Sequence, residues 1–204
     1  CSSDLLFEYI EDNQDMWLVF EQGGRSLGNL MFKIKGEFHN NERIYSIKKG
    51  RFYQHLFSKD ANFKNFFRKL LESIYFMSCV NEVVHCDIKP DNILFDYDCS
   101  QDLDDDIDFS DMKLIDFGSA FKIENPDNFS SNTPEYMPPE ITELIERKAS
   151  SKEIYNFLKN FDKYPYAVDV WSLGVMILEI LLCCPVWMSY KAKTMINGRV
   201  SFKP

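Results

Sequence analysis

Phe63, Phe66, Phe67, Leu70, Leu71, Ile74 and Met77 recur at intervals of three and four residues. That spacing gathers apolar side chains on one face of a helix. Asn62 is a suitable cap at its start, since a short polar side chain can accept from the first unpaired backbone N–H groups. The expected helix ends near Val80 and gives way to His85-Cys86-Asp87-Ile88-Lys89-Pro90-Asp91-Asn92, then to the apolar triplet Ile93-Leu94-Phe95. Pro90 supplies no backbone donor, and Asp and Asn compete for backbone hydrogen bonds, so the polar stretch is an irregular loop. The triplet after it is a short strand. An acid, a cation and an amide therefore sit in one loop held between a helix and a strand, the setting in which reactive groups are usually placed.

Elsewhere the patterning is readable in pieces. Leu5–Tyr9 and Met16–Phe20 read as two strands joined by a polar turn. Glu21-Gln22-Gly23-Gly24 follows, then Leu27, Leu30, Met31 and Ile34 at helical spacing. Gly23 to Gly28 is no phosphate loop, because no Gly-Lys-Ser/Thr follows it. Residues 36–60, with the basic Lys48-Lys49-Gly50-Arg51, read as a solvated surface insertion in preference to a docking site. Pro139 and Glu140 open a helix running through Arg147, and Ile154, Phe157, Leu158 and Phe161 mark another short one. Ala167–Cys183 is apolar on nearly every face and is expected to be central and buried, ending at Pro185. Glu179 interrupts that run, which is too short to span a membrane.

Residues 96–111 hold eight aspartates in sixteen positions. Asp102, Asp104 and Asp106 imitate the opening of a calcium loop, but Ile107 stands where glycine is needed and no Glu closes it. The expectation is an acidic inserted loop, kept extended and mobile by self-repulsion. The formal net charge of -9 and pI of about 4.9 argue against nucleic acid as a general partner. Six cysteines show no C-x-x-C pair and no ligand-like spacing with the three histidines. They are read as reduced thiols of a cytoplasmic or nuclear protein, without a zinc site or disulfide frame. With no initiator Met and no signal peptide, the chain is expected to begin within a longer protein.

The step from Asp87 to Asn92 resembles the catalytic loop of protein kinases, H-R-D-L-x-x-x-N. Lys89, in D-x-K-P-x-N, is similar to the serine/threonine branch of that family. Leu114-Ile115-Asp116-Phe117-Gly118 resembles the D-F-G motif, and Thr133-Pro134-Glu135-Tyr136-Met137-Pro138-Pro139-Glu140 the segment ending in A-P-E. Asp169-Val170-Trp171-Ser172-Leu173-Gly174-Val175 looks like the start of the family's large central helix. Four motifs occur in the family's order, over about residues 15–188.

The resemblance implies an α+β, kinase-like fold: a mainly α-helical C-lobe with a small β remnant of the N-lobe. Residues 1–20 would end the N-lobe strands, 21–24 would form the hinge and 25–204 the C-lobe, with insertions near 36–60, 96–111 and 148–163. It implies transfer of the ATP γ-phosphate to a Ser/Thr hydroxyl of a protein substrate, with Mg²⁺ and with no nucleic-acid or membrane partner. Asp87 would orient the hydroxyl, Lys89 would offset charge on the phosphoryl group, and Thr133 would hold both in place. Asn92 and Asp116 would hold Mg²⁺. Phe20 would be the gatekeeper, the Glu21 carbonyl and Gly23 amide would meet the adenine edge, and Leu94 would floor its pocket. His85 and Phe117 would pack beneath the site, and Asp169 would cap amides of the catalytic loop.

The pattern also departs from the family. Cys86 replaces the Arg that pairs with a phosphorylated activation segment, so Ser130, Ser131 and Thr133, phosphorylation candidates by composition, are not expected to control activity by that route. Pro139 replaces the usual Ala, a change suited to a helix start. No G-x-G-x-x-G loop, no strand lysine in a V-A-I-K-like setting and no helix bearing its Glu partner occur in the sequence. The helices that would follow residue 204, with the ion-pair partner of Glu140, are absent too. The expectation is thus an incomplete kinase domain with little activity alone; the competing reading is a catalytically inactive kinase-like scaffold.

Overall fold

The computed structural model describes residues 6–12, 14–39, 42–124, 133–160, 166–186, 193–196 and 199–201. Leu5, Ser130, Ser131 and Phe161, named above, lie outside them. Strands β1 (Leu6–Glu11) and β2 (Met16–Phe20) form an antiparallel hairpin, with Ile10 opposite Trp17 and Leu6 opposite Phe20. Strand β3 (Arg25–Ser26) leads into helix α1 (Leu27–Met31), where the Ser26 hydroxyl accepts from the Asn29 amide.

The helix expected to include Ile34 stops at Met31. Ile34 belongs instead to β4 (Phe32–His39), which pairs residue for residue with β5 (Glu42–Lys49). Cross-strand pairing along the whole hairpin overrides a helical spacing that only four residues supported. Gly50 closes the hairpin: its amide donates to the Met31 carbonyl at 2.8 Å, and a Cβ there would sit 2.0 Å from the Leu30 oxygen.

Helix α2 (Arg51–Leu56) packs on α3 (Asp60–Tyr75), which ends in a π-helical turn at Phe76–Val80; α2 buries Phe52, Tyr53, His55 and Leu56, so residues 36–60 are not the wholly solvated insertion expected. Asn62 is not the cap. It is buried in the first turn of α3, where its Nδ2 donates to the His55 and Asp105 carbonyls and its Oδ1 accepts from the Ile107 amide. His55, also buried, meets the Tyr97 hydroxyl through Nδ1 and the Asp105 carbonyl through Nε2, both at 2.9 Å. These bonds, with Tyr97, Ile107 and Phe109 in the core, fold the acidic stretch back onto α2 and α3. The expected extension of residues 96–111 is therefore corrected. Most of its carboxylates stay exposed, where water screens their repulsion, while the buried anchors keep their full value.

The chain continues through β6 (Val83–Val84), β7 (Ile93–Phe95), β8 (Lys113–Leu114) and β9 (Phe121–Lys122). Helices α4 (Pro139–Glu146), α5 (Ser151–Asn160) and α6 (Ala167–Leu182) follow. Strands β10 (Lys193–Ile196) and β11 (Arg199–Ser201) come last. β10 joins the β4–β5 hairpin parallel to β5, and β3, β7 and β8 form a small antiparallel sheet. One apolar core gathers Phe52, Phe66, Leu70, Ile93, Met176 and Ile180; a second holds Val84, Cys86, Phe121, Ile141, Ile154 and Leu158.

Helix α6, expected to be central and buried, has only part of its surface covered. Val168, Asp169, Ser172, Leu173, Met176, Glu179 and Ile180 are buried, whereas Val170, Leu178 and Leu182 are 53%, 58% and 73% exposed. Glu179, inside the apolar helix, accepts a hydrogen bond from the buried Tyr136 hydroxyl. Burial raises its carboxyl pKa from 4.5 to about 7, the Tyr136 bond pulls the other way, and Asp91 adds to the rise. Native Glu179 thus keeps its proton to higher pH than the unfolded chain does. The native state binds more protons between these values, so this group's contribution to stability falls as pH rises from 4.5 to 7. Glu179→Gln should remove a slope on the order of 3 kcal/mol across that window, read as urea midpoints at several pH values. A variant with the wild-type slope would show that Glu179 is ionised throughout.

Candidate active site

Helix α6 fixes the polar loop from below. Asp169, 0% exposed, accepts the His85 amide on Oδ2 at 2.8 Å and the Cys86 amide on Oδ1 at 2.9 Å. Burial raises its pKa to about 6, and the two amides oppose the rise. Cys86 has φ of 65°, a left-handed conformation that costs a non-glycine residue energy and is kept by its surroundings. The Asp87 amide donates to His85 Nδ1, so His85 carries its hydrogen on Nε2 and donates it to the Ile115 carbonyl at 3.1 Å. Burial lowers the pKa of His85, in keeping with that neutral form. Its ring lies 4.8 Å from that of Phe117. His85 is thus a fully occupied packing residue.

Asp87, Lys89, Asn92 and Thr133 meet above this base. Lys89 Nζ donates to Asp87 Oδ2 at 2.7 Å and to Thr133 Oγ1 at 2.9 Å. Asn92 Nδ2 donates to the Asp87 carbonyl at 2.9 Å and to Asp87 Oδ2 at 3.0 Å. Two acceptors facing one Asn nitrogen settle the orientation of the amide and leave its oxygen as the remaining acceptor. Burial pushes the Asp87 pKa up, but the bonds from Lys89, Thr133 and Asn92 outweigh it and hold the carboxyl below its ordinary range. The group is an ionised carboxylate, 8% exposed, with its charge partly offset by Lys89.

The neighbouring strands carry the other candidates. The Ile115 amide donates to the Asn92 carbonyl at 2.9 Å, which joins the end of the loop to the start of the Asp116 stretch. Asp116 has φ of 65°, and its side chain is exposed. Leu94 pairs in register with Ser26 on one side and Lys113 on the other. A Cβ on Gly23 would lie 2.6 Å from Leu94 Cδ1, and one on Gly24 (φ +91°) would lie 2.5 Å from the Phe95 oxygen. Glycine is required at Gly24, where positive φ and the β7 backbone leave no room for a side chain, whereas at Gly23 only the tip of the Leu94 side chain would have to shift. Lys113 Nζ meets Glu21 Oε2 at 3.0 Å, a hold on that connection the sequence reading missed. A lone lysine in the otherwise apolar Met112-Lys113-Leu114 was the available signal. Phe20, half exposed at the end of β2, stands just before the connection.

A protein kinase domain model matches residues 5–202. Aurora kinase of Schizosaccharomyces pombe is 30% identical over 167 residues, which cover 76% of this chain and 38% of that protein. Serine/threonine-protein kinase Aurora-1 of Arabidopsis thaliana is 25% identical over 76% of this chain and 46% of its own length. Mitogen-activated protein kinase 15 of Caenorhabditis elegans is 28% identical over 84% of this chain and 28% of its own length. The chain spans less than half the length of these relatives. With its loop, its Asp116 turn and its buried Asp169 arranged as described, the chain belongs to the protein kinase family.

Proposed function

We propose that the protein is a serine/threonine kinase and that this chain is its hinge and most of its C-lobe, with residues 1–20 as the N-lobe remnant. The observation that carries this reading is the hydrogen-bonded set of Asp87, Lys89, Asn92 and Thr133. In the reaction, a substrate hydroxyl oxygen bonds to the γ-phosphorus of ATP. The bond from that phosphorus to the bridging oxygen breaks, ADP leaves with the electron pair, and the hydroxyl proton passes to Asp87. Since Asp87 is held below its ordinary pKa, it is a weak base in the ground state. Its part is to orient the hydroxyl and to take the proton late, as suits a reaction driven by positioning and charge neutralisation. Lys89 offsets charge on the phosphoryl group.

Among the described residues no three His, Cys, Asp or Glu side chains gather as a metal site. Asn92 and Asp116 nonetheless offer an amide oxygen and a carboxylate, hard donors that suit Mg²⁺ when phosphate oxygens complete its shell. The ion would supply charge neutralisation. Phe20, Glu21, Gly23 and Leu94 would receive the adenine end. All catalytic candidates of the loop being present, no observation favours an inactive scaffold.

The test is transfer from γ-labelled ATP to a generic protein substrate by the full-length protein, with and without a Mg²⁺ chelator. Label on Ser or Thr that disappears with the chelator is expected. Background incorporation under both conditions would sink the reading.

A further inference from the structure

Between α4 and α6 the chain carries an additional helix, α5, whose contacts are with the stretch that follows Asp116. The Tyr155 hydroxyl donates to the Ile123 carbonyl at 2.8 Å. Its ring meets that of Phe121 edge-on at 6.3 Å. Ile154 and Leu158, 3% and 4% exposed, enter the core that also holds Val84, Cys86, Phe121 and Met137. β9 in turn pairs with β6 through Val83↔Lys122 and Val84↔Phe121, and the Ile123 amide donates to the Glu82 carbonyl at 2.9 Å. β6 runs directly into His85 and Asp87. A continuous set of contacts therefore leads from α5 through β9 and β6 to the loop.

We propose that α5 is a built-in clamp that holds β9 against β6, with Tyr155 as the positioning residue that sets the loop through it. Asp169 holds the loop from α6, and the clamp adds a second hold from the side of β9. Cys86 offers a buried thiol in the core that also holds Phe121, and it carries no positive charge to attract an anion on the segment after it. Packing by Ile154 and Leu158, aimed by one hydroxyl-to-carbonyl bond, supplies the order instead. The hydroxyl matters because it is the directional contact between α5 and the end of β9; the apolar side chains fix α5 to the core.

This inference rests on the kinase reading for its catalytic arm only. In the full-length protein, Tyr155→Phe keeps the ring and removes the hydroxyl, while Tyr155→Ala removes both. Hydrogen exchange of peptides spanning 82–84 and 121–123 should speed up by about fivefold in Tyr155→Phe, the equivalent of one hydrogen bond, and by more in Tyr155→Ala. kcat should fall by a similar factor in Tyr155→Phe, with the KM for ATP unchanged and the melting temperature lowered by no more than the few degrees one hydrogen bond is worth. Unchanged exchange at both peptides in Tyr155→Ala would overturn the clamp. So would exchange in Tyr155→Phe that speeds up as much in peptides remote from β6 and β9 as in these two, the mark of a merely structural side chain. Should the wild type transfer no phosphate, the kinase reading fails, and the exchange arm still decides the clamp.

Discussion

Asp87→Asn is expected to lower phosphotransfer by about 10²–10⁴-fold while the protein stays folded. The substitution keeps the size and planarity of the side chain but removes the charge that faces Lys89 at 2.7 Å. Lys89 and Asn92 both donate to one oxygen of Asp87, so the new amide must turn its own oxygen toward them. Its NH₂ then occupies the place of the second carboxylate oxygen, and the side chain can neither orient a hydroxyl as acceptor nor take its proton. Lys89 retains Thr133 and is partly exposed, so the stability cost should be modest, about 1–2 kcal/mol. Initial rates beside urea midpoints separate the two effects. Phosphotransfer within a few-fold of wild type would place the proton acceptor elsewhere.

The parts of the site that were legible in the sequence share one property: their geometry is local or follows from an invariant chemical need. The loop from His85 to Asn92 could be read because Pro90, Asp and Asn leave the backbone few alternatives, and because helix and strand flank it. Asp169 could be read because a carboxylate at the start of an apolar helix must find donors. What could not be read depends on which distant segments meet. Nothing near Asn62 announces that it would bind the backbone of residues 105–107, and eight aspartates suggest repulsion unless that anchor is known. Helical spacing across Leu27–Ile34 was outvoted by β5, which lies further along the chain. The exposure of Leu178 and Leu182 is likewise a matter of what packs there, and apolar composition alone says nothing about it. Tyr155 looked like one more residue of a short helix; its value lies in reaching Ile123, 32 residues earlier.

Asp169→Ala should be the most destabilising single change at the site. The carboxylate accepts both the His85 and the Cys86 amides, and both bonds are buried. Alanine orphans two donors at once, each costing about 1–3 kcal/mol, against a total stability of roughly 5–15 kcal/mol for a domain. Cys86 also loses what keeps it at positive φ, so the loop should relax and take Asp87 out of reach of Lys89. Activity should be lost together with stability, unlike the result for Asp87→Asn. A second variant, Asp169→Asn, separates charge from hydrogen bonding. It retains one acceptor for the two amides, so it should be destabilised less than alanine. It also removes a titrating group whose pKa rises from 3.8 to about 6 on folding. The wild-type native state holds that extra proton between these values, so its stability contribution declines as pH rises from 3.8 to 6; the Asn variant should lack that decline. Urea unfolding at pH 4, 5 and 7 reads all three proteins. An Asp169→Ala midpoint equal to wild type would mean that the two amides find other partners, and the buried carboxylate would then have no part in holding the loop.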